Sequence, residues 1–185
     1  MPTIRINFED ISFDPKVQTY CNNPHFKCPH YGHSWACPPE APYLEEEVAQ
    51  YEKFFLIYYE FDLNEYVKKK KAKFPNRNEE KIRNSFYRKS IIRDSLEKET
   101  YKFLDSYVEN YNERLILWDG HCRVCYKKGQ SCTYDYRVPC CYPEEKMLSM
   151  EAVGIDVDKT VKSLGIAIEW PPVNLAYRFG LICLK

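Results

Sequence analysis

The sequence is poor in glycine and contains no long apolar run. Only six of the 185 residues are glycine, and none forms a phosphate-binding or dinucleotide-binding pattern, so nucleotide binding is not expected. The longest apolar segment, Phe54–Tyr59, has the length of a strand and falls well short of a membrane span. The first residues lack the basic, apolar and small-residue order of a signal peptide. These absences predict a soluble, cytoplasmic protein without a membrane partner.

An excess of charge of one sign is also lacking. The 27 basic residues, Lys and Arg, are matched by 27 acidic residues, so the chain has no general attraction to nucleic acid. We therefore expect no nucleic-acid partner. A lysine-rich run at 68–73 is interpreted as a solvated loop in preference to a docking site for an acidic partner.

The chain is long enough for one domain with a hydrophobic core, which we place at residues 1–185. The patterns predict strands at 54–61, 113–118 and 176–184 and helices at 43–51, 78–111 and 156–164. Glu151 and Asp156 flank Gly154 and are expected to cap the last helix. The predicted fold is α+β, a single-domain sandwich of a small mixed sheet with helices. Cysteine-bearing loops are expected at one end of it, around a helical scaffold at 43–112.

Cysteine is abundant, and its distribution is uneven. Nine cysteines are not easily explained as disulfides in a reducing compartment, and because nine is an odd number they cannot all be paired. Cys183 lies alone in an apolar segment and is interpreted as a small core residue. The other eight form an N-terminal group (Cys21, Cys28 and Cys37) and a C-terminal group (Cys122, Cys125, Cys132, Cys140 and Cys141). This clustering predicts that the eight thiols bind metal.

The C-terminal group contains a C-x2-C pair, Cys122 and Cys125. Two intervening residues allow both sulfurs to turn toward one metal centre, with backbone N–H groups directed at them. Cys132 and Cys140 follow at spacings that allow a loop to bring them back to the same metal centre. Four thiolates suffice for an iron–sulfur cluster or for a tetrahedral zinc ion.

In the N-terminal group, proline directly follows both Cys28 and Cys37. Proline fixes the chain direction and removes a backbone donor, and a Cys-Pro step also follows the last ligand of the bacterial ferredoxin run. Three histidines lie among these cysteines and are interpreted as groups around the ligands or at the surface: His25, His30 and His33.

The two candidate metals are iron in a cluster and zinc. Structural zinc sites usually pair two tight knuckles, and this chain has one C-x2-C pair. We therefore expect one or two [4Fe-4S] clusters, with zinc as the second choice.

Two longer signatures surround these cysteines. The first is Cys28-Pro29-x-Tyr31-Gly32 with Cys37-Pro38-Pro39 and Pro42. The second runs from Gly120-x-Cys122-Arg123-x-Cys125 through Pro139-Cys140 and Pro143-Glu144 to Ser149–Val157, Thr160 and Leu164-Gly165. Both resemble a family of predicted cysteine-rich metal-binding proteins of unknown function from archaea and anaerobic bacteria. The resemblance implies metal binding in an anaerobic, cytoplasmic setting and implies no particular reaction.

Ligand counting leaves three functions open. Two four-cysteine clusters would require Cys141 to join the N-terminal group, which suits an electron carrier with a redox protein partner. Without Cys141 one iron would be open or held by histidine, which suits an enzyme with His30, His33 or Glu40 as acid–base groups. The third hypothesis is a zinc-stabilised binding module.

Overall fold

The structure, a computed structural model, describes residues 2–24, 26–86, 91–169 and 171–185. His25 and positions 87–90 of the predicted helix at 78–111 lie outside these ranges.

The central element is a four-stranded sheet with the order β1-β4-β6-β5. The described strands are β1 (Thr3–Ile6), β2 (Asn22–Asn23), β3 (Phe26–Lys27), β4 (Lys53–Asp62), β5 (Arg114–Leu117) and β6 (Leu175–Leu184). The longest pairing joins β4 to β6 over the full length of both strands, from Lys53 opposite Leu184 to Asp62 opposite Leu175. The strand predicted at the end of the chain, β6, lies in the interior of the sheet between β4 and β5.

The three predicted strands and the α+β class are confirmed, but the sheet is not mixed. Each of its pairings is antiparallel. Parallel strands need a crossover connection that returns the chain to the same edge. Here β1 and β6 run in one direction and β4 and β5 in the other, and the sheet order places each strand beside strands of the opposite direction.

Apolar side chains cover both faces of the sheet. On β4, Phe54 and Leu56 belong to one core cluster, whereas Phe55 and Ile57 belong to the other. Successive side chains of a strand point to opposite faces, so a continuous apolar run indicates a strand that is buried on both sides. Leu96 is fully buried in the second cluster, which places the long helix at 91–106 against that face.

The described helices are α1 (Glu45–Val48), α2 (Leu63–Lys73), α3 (Glu79–Phe86), α4 (Ile91–Ser106), α5 (Val124–Lys127) and α6 (Val157–Ser163). The interpretation of 68–73 as a loop is wrong, because these lysines complete α2. Asp62 caps that helix by accepting a hydrogen bond from the Glu65 N–H, and Leu63 and Val67 anchor its buried face. Among the described residues, no helix combines the length and the apolar character needed to cross a membrane.

Two long loops carry the cysteine groups, and hydrogen bonds close each loop near its ends. The Gln18 side-chain amide donates to the Ala41 carbonyl at 3.0 Å and to the Ala152 carbonyl at 2.8 Å. After β5, Trp118 forms a parallel bridge with Ser149, so the chain leaves and returns at one place. The loops are therefore fixed to the scaffold at both ends.

Candidate metal centre

A small hairpin places Cys21 opposite Cys28. Strands β2 and β3 pair between these cysteines, and the Cys28 N–H donates to the Cys21 carbonyl at 2.8 Å. The two thiols also share a hydrogen bond. The pKa of Cys21 is raised to about 11, chiefly by burial and in smaller part by the nearby Cys28, Cys37 and Glu151.

Cys37 lies beside this pair. Its sulfur accepts hydrogen bonds from the Ser34 hydroxyl and from the Cys122 N–H, and it interacts electrostatically with the thiols of Cys28 and Cys122. Burial raises the pKa of Cys37 to about 11. The N-terminal group is therefore brought together, and Cys122 of the other loop adjoins it.

The C-terminal group gathers around Cys125. Burial raises the pKa of Cys125, and the neighbouring cysteines 132, 122, 140 and 141 raise it further in that order. The sulfur-bearing residues Cys122, Cys125, Cys132 and Cys140 also line one small shared cavity. All five predicted cysteines of this group thus lie in one region.

Cys122 lies between the two groups, since it interacts with both Cys37 and Cys125. Cys141 also lies near Cys125. The eight thiols can be divided into two sets of four. We call Cys21, Cys28, Cys37 and Cys122 set A, and Cys125, Cys132, Cys140 and Cys141 set B.

The two cysteine loops are joined directly by polar and aromatic contacts. The Trp35 indole N–H donates to the Val138 carbonyl at 3.0 Å, and its ring packs edge-on against Tyr134. His33 Nδ1 lies 2.8 Å from an Asp135 carboxylate oxygen. These contacts hold the loop of the N-terminal group against the segment between Cys132 and Cys140.

Helix α4 fixes the turn that carries Cys122 and Cys125. Arg93 donates to the carbonyls of Asp119 and His121, just before Cys122. The Arg123 guanidinium, between the two cysteines, is buried and pairs with Asp94 at 2.8 Å and with Glu97. A buried charge needs partners, so these pairs determine where the turn lies.

Two histidines, His30 and His121, pack against each other next to the turn that carries Cys122. His30 stacks on His121 with ring centroids 3.6 Å apart. Burial lowers the pKa of His121 to about 4, with smaller contributions from His30, Arg93 and Arg123. Burial and Arg93 also lower the pKa of His30. Both rings are therefore neutral at pH 7, a form that does not repel a bound cation.

Of three other sequence expectations, two agree with the structure and one does not. Cys183 is fully buried in β6 within the sheet core, as expected. Asp156 caps α6 by accepting from the Lys159 N–H at 3.0 Å, as expected. Glu151 does not cap that helix; its carboxylate interacts with the Ser149 hydroxyl and lies near Cys21.

The donor chemistry fits a thiophilic metal group. Thiols must lose their protons to bind metal, and burial beside other thiols makes that loss costly until a cation is present. A zinc ion would hold its sulfurs about 4 Å apart, given its short tetrahedral bonds. Within the described ranges, no three His, Cys, Asp or Glu side chains are placed to hold one metal ion. In a cluster, each of several irons takes one thiolate.

The positioning residues on α4 were missed by sequence reasoning. Arg93 and Glu97 stand four residues apart, which places them on the same face of a helix. Charged residues on a helix face are usually solvated, so this spacing alone does not distinguish them. Their role follows from burial, at 8% and 9% exposure.

The fold and the gathered thiols define a cysteine-rich protein of the metal-binding class. Consistent with this, residues 4–184 match the family model described as "Predicted metal-binding protein (DUF2284)". The chain belongs to this family, and the resemblance seen in its signatures is confirmed. Comparisons with curated proteins and with solved structures gave no match.

Proposed function

We propose that this chain is an iron–sulfur protein with two [4Fe-4S] clusters, one on set A and one on set B, that transfers electrons. The observation that carries the proposal is that thiols of both cysteine groups meet at the Cys122–Cys125 turn, where Cys122 lies near Cys37 and near Cys125. Two-cluster ferredoxins use the same arrangement, in which a cysteine from one run ligates the other cluster. Two clusters held by one short turn lie close enough for electron exchange.

Each cluster would store and release single electrons, and the protein groups around the sulfurs would adjust the potential. The Ser34 hydroxyl and the Cys122 N–H both donate to the Cys37 sulfur. Such hydrogen bonds stabilise the negative charge that a sulfur gains on reduction. They therefore favour the reduced form of a centre on set A.

Exposure around set B supports a redox protein partner. Cys141 is exposed, and the neighbouring loop presents Tyr126 at 82% and Tyr136 at 73% exposure. Aromatic side chains are enriched in protein interfaces. We place the docking surface for a redox partner here, and not on the lysines of α2.

All nine cysteines are free thiols, which supports a reducing cytoplasm in an anaerobic setting. Zinc is the alternative, because four thiolates can also hold one tetrahedral ion. The enzyme hypothesis relied on an open iron with His30, His33 or Glu40 as acid–base groups. His33 instead pairs with Asp135, and Glu40 accepts from the Tyr134 hydroxyl at 3.2 Å.

Metal and sulfide analysis tests the proposal. The protein would be purified anaerobically and assayed for iron, zinc and acid-labile sulfide. We expect about eight iron and about eight sulfide per chain, since each cubane holds four of each. About four iron would mean that one set is not a centre. Zinc without labile sulfide would contradict the proposal.

A further inference from the structure

A groove of about 440 Å³ lies between helix α4 and the edge strand β5, beside the Cys122–Cys125 turn. Tyr101 of α4 lines it together with residues 114–116 of β5, and the segments 127–128 and 144–147 complete the lining. The volume of the groove falls in the range of small-molecule sites.

Two aromatic rings and several aliphatic side chains give this groove an apolar wall. The rings of Tyr101 and Trp118 both line it, with their centroids 5.8 Å apart. Leu115, Ile116 and Met147 extend the wall. Such a surface suits the flat body of an aromatic organic molecule.

The Trp118 indole N–H marks where the polar end of such a molecule would bind. Trp118 is 5% exposed and lines the groove. Within the described ranges its Nε1 donates no hydrogen bond and is not fully enclosed, in contrast to the Nε atoms of Arg93 and Arg123. The indole N–H of a buried tryptophan usually has an acceptor, and this group can only donate. An acceptor on a molecule in the groove would satisfy it.

Basic side chains outnumber acidic ones in the lining of the groove. Its charged residues are four basic and three acidic: Arg114, Lys127, Lys128, Lys146, Glu97, Glu144 and Glu145. Lys127 pairs with Glu97, which the buried Arg123 also contacts. Lys128 pairs with Glu145. These pairs leave two basic side chains and one carboxylate of the lining without an ion-pair partner in the described chain.

The two remaining basic side chains are Arg114 and Lys146, and the remaining carboxylate is the exposed Glu144. Burial and the Glu97 carboxylate raise the pKa of the Tyr101 hydroxyl, and Arg114 opposes this rise. Arg114 therefore lies near the hydroxyl of a ring that forms the apolar wall. Positive charge next to an aromatic surface is complementary to an aromatic anion.

We infer that this groove binds a small organic carboxylate with an aromatic body, whose carboxylate accepts from the Trp118 indole N–H and is balanced in charge by Arg114 and Lys146. Val124 lines both this groove and the small cavity of the C-terminal cysteines. The bound molecule would therefore lie one side chain away from those cysteines. The inference goes beyond the proposed function and does not depend on which metal the cysteines hold.

Calorimetric titration of the anaerobically purified, metal-loaded protein tests the inference. The probes are 3-phenylpropionate, 3-phenylpropanol and 3-phenylpropylamine, which share a ring and a chain length and differ in charge. We expect saturable binding of the carboxylate and about tenfold weaker binding of the alcohol and the amine, since hydrogen bonds to charged groups are the stronger ones. No saturable binding of the carboxylate, or equal or tighter binding of either other probe, would overturn the inference.

Three variants locate the binding point. Trp118→Phe keeps a ring but removes the donor, and it should weaken binding of 3-phenylpropionate about tenfold. Arg114→Gln should weaken it about fivefold, through the loss of a surface charge. Arg5→Gln is the matched control, because Arg5 is an exposed arginine on the other edge strand, β1, outside the groove; it should leave binding unchanged.

An unchanged affinity in Trp118→Phe or in Arg114→Gln would refute the assignment, and so would equal losses in Arg114→Gln and Arg5→Gln. Arg114 is exposed on β5, so its replacement and the probe series on the unaltered protein remain decisive if Trp118→Phe does not fold.

Discussion

Individual cysteines in this chain differ in what surrounds the sulfur. Cys21, Cys37 and Cys125 lie among other thiols, and each thiol changes the charge environment of its neighbours. Cys183 is fully buried, and burial alone raises its pKa. No neighbouring thiol contributes to that shift, unlike the shifts at Cys21, Cys37 and Cys125. We therefore propose that cysteine binds metal in the loops, whereas in the sheet it packs in the core.

Replacement of Cys183 tests this distinction. Cys183→Ala should leave the metal content unchanged and lower the free energy of unfolding by about 1–2 kcal/mol, because it leaves a small cavity in the core. Metal analysis and urea denaturation would measure the two effects. A loss of iron would show that Cys183 contributes to a centre.

Single glycines determine how the segments around the site turn. Gly154 has φ +96°, and an added Cβ would overlap the Tyr43 ring. Gly165 has φ +77° with nothing within 4 Å of the added atom. Gly154→Ala should therefore destabilise the protein by about 3 kcal/mol, from backbone strain and displaced packing. Gly165→Ala should cost about 1–2 kcal/mol, from strain alone. Equal losses in chemical denaturation would contradict the role of Tyr43.

At the scale of elements, α4 and the Cys122–Cys125 turn behave as one unit. Arg123 is 7% exposed and joins the turn to Asp94 and Glu97. Arg123→Gln leaves Glu97 with Lys127 as its remaining partner and should cost about 3 kcal/mol. The turn should also hold metal less firmly, measured as faster loss of metal to a chelator.

Lys69→Gln provides the matched control. Lys69 is an exposed residue that pairs with Glu65 on the surface of α2. Its loss should cost less than about 0.5 kcal/mol and should not change the rate of metal loss. If both variants behaved alike, the proposed coupling between α4 and the turn would be wrong.

The elements show how far the sequence alone predicts this protein. Strands β4 and β6 were predicted because continuous apolar runs of strand length identify them. Helix α2 was missed because its lysine run was interpreted as a solvated loop. The signals for a helix were weaker: Asp62 as a cap, and Leu63 and Val67 on one face. The eight candidate ligands follow from spacing and from the family signatures. The approach of Cys122 to Cys37 could not be predicted, because it depends on how two distant loops fold against each other.

At the scale of the whole molecule, a buried sheet supports two loops that contain few elements of regular structure. Metal centres on sets A and B would contribute much of the stability of these loops, because metal binding is coupled to folding. The sheet has its own apolar cores on both faces. The two regions should therefore respond differently to metal removal.

Removal of metal by an anaerobic chelator should loosen the loops and leave the sheet folded. Hydrogen exchange would measure this. Amides of β4 and β6 should stay protected, whereas amides near Cys28 and Cys132 should exchange much faster. Uniform loss of protection would contradict independent stability of the sheet, and unchanged loop protection would contradict a metal role.

The central claim is that the thiols form two separate centres, and iron counting in two double variants tests it most directly. Cys28→Ala with Cys37→Ala removes half of set A, and Cys125→Ala with Cys132→Ala removes half of set B. Each double variant, purified anaerobically, should retain about four of about eight irons per chain, with labile sulfide in equal amount. Loss of all iron in either variant would indicate one shared centre, and unchanged iron would exclude that set as ligands.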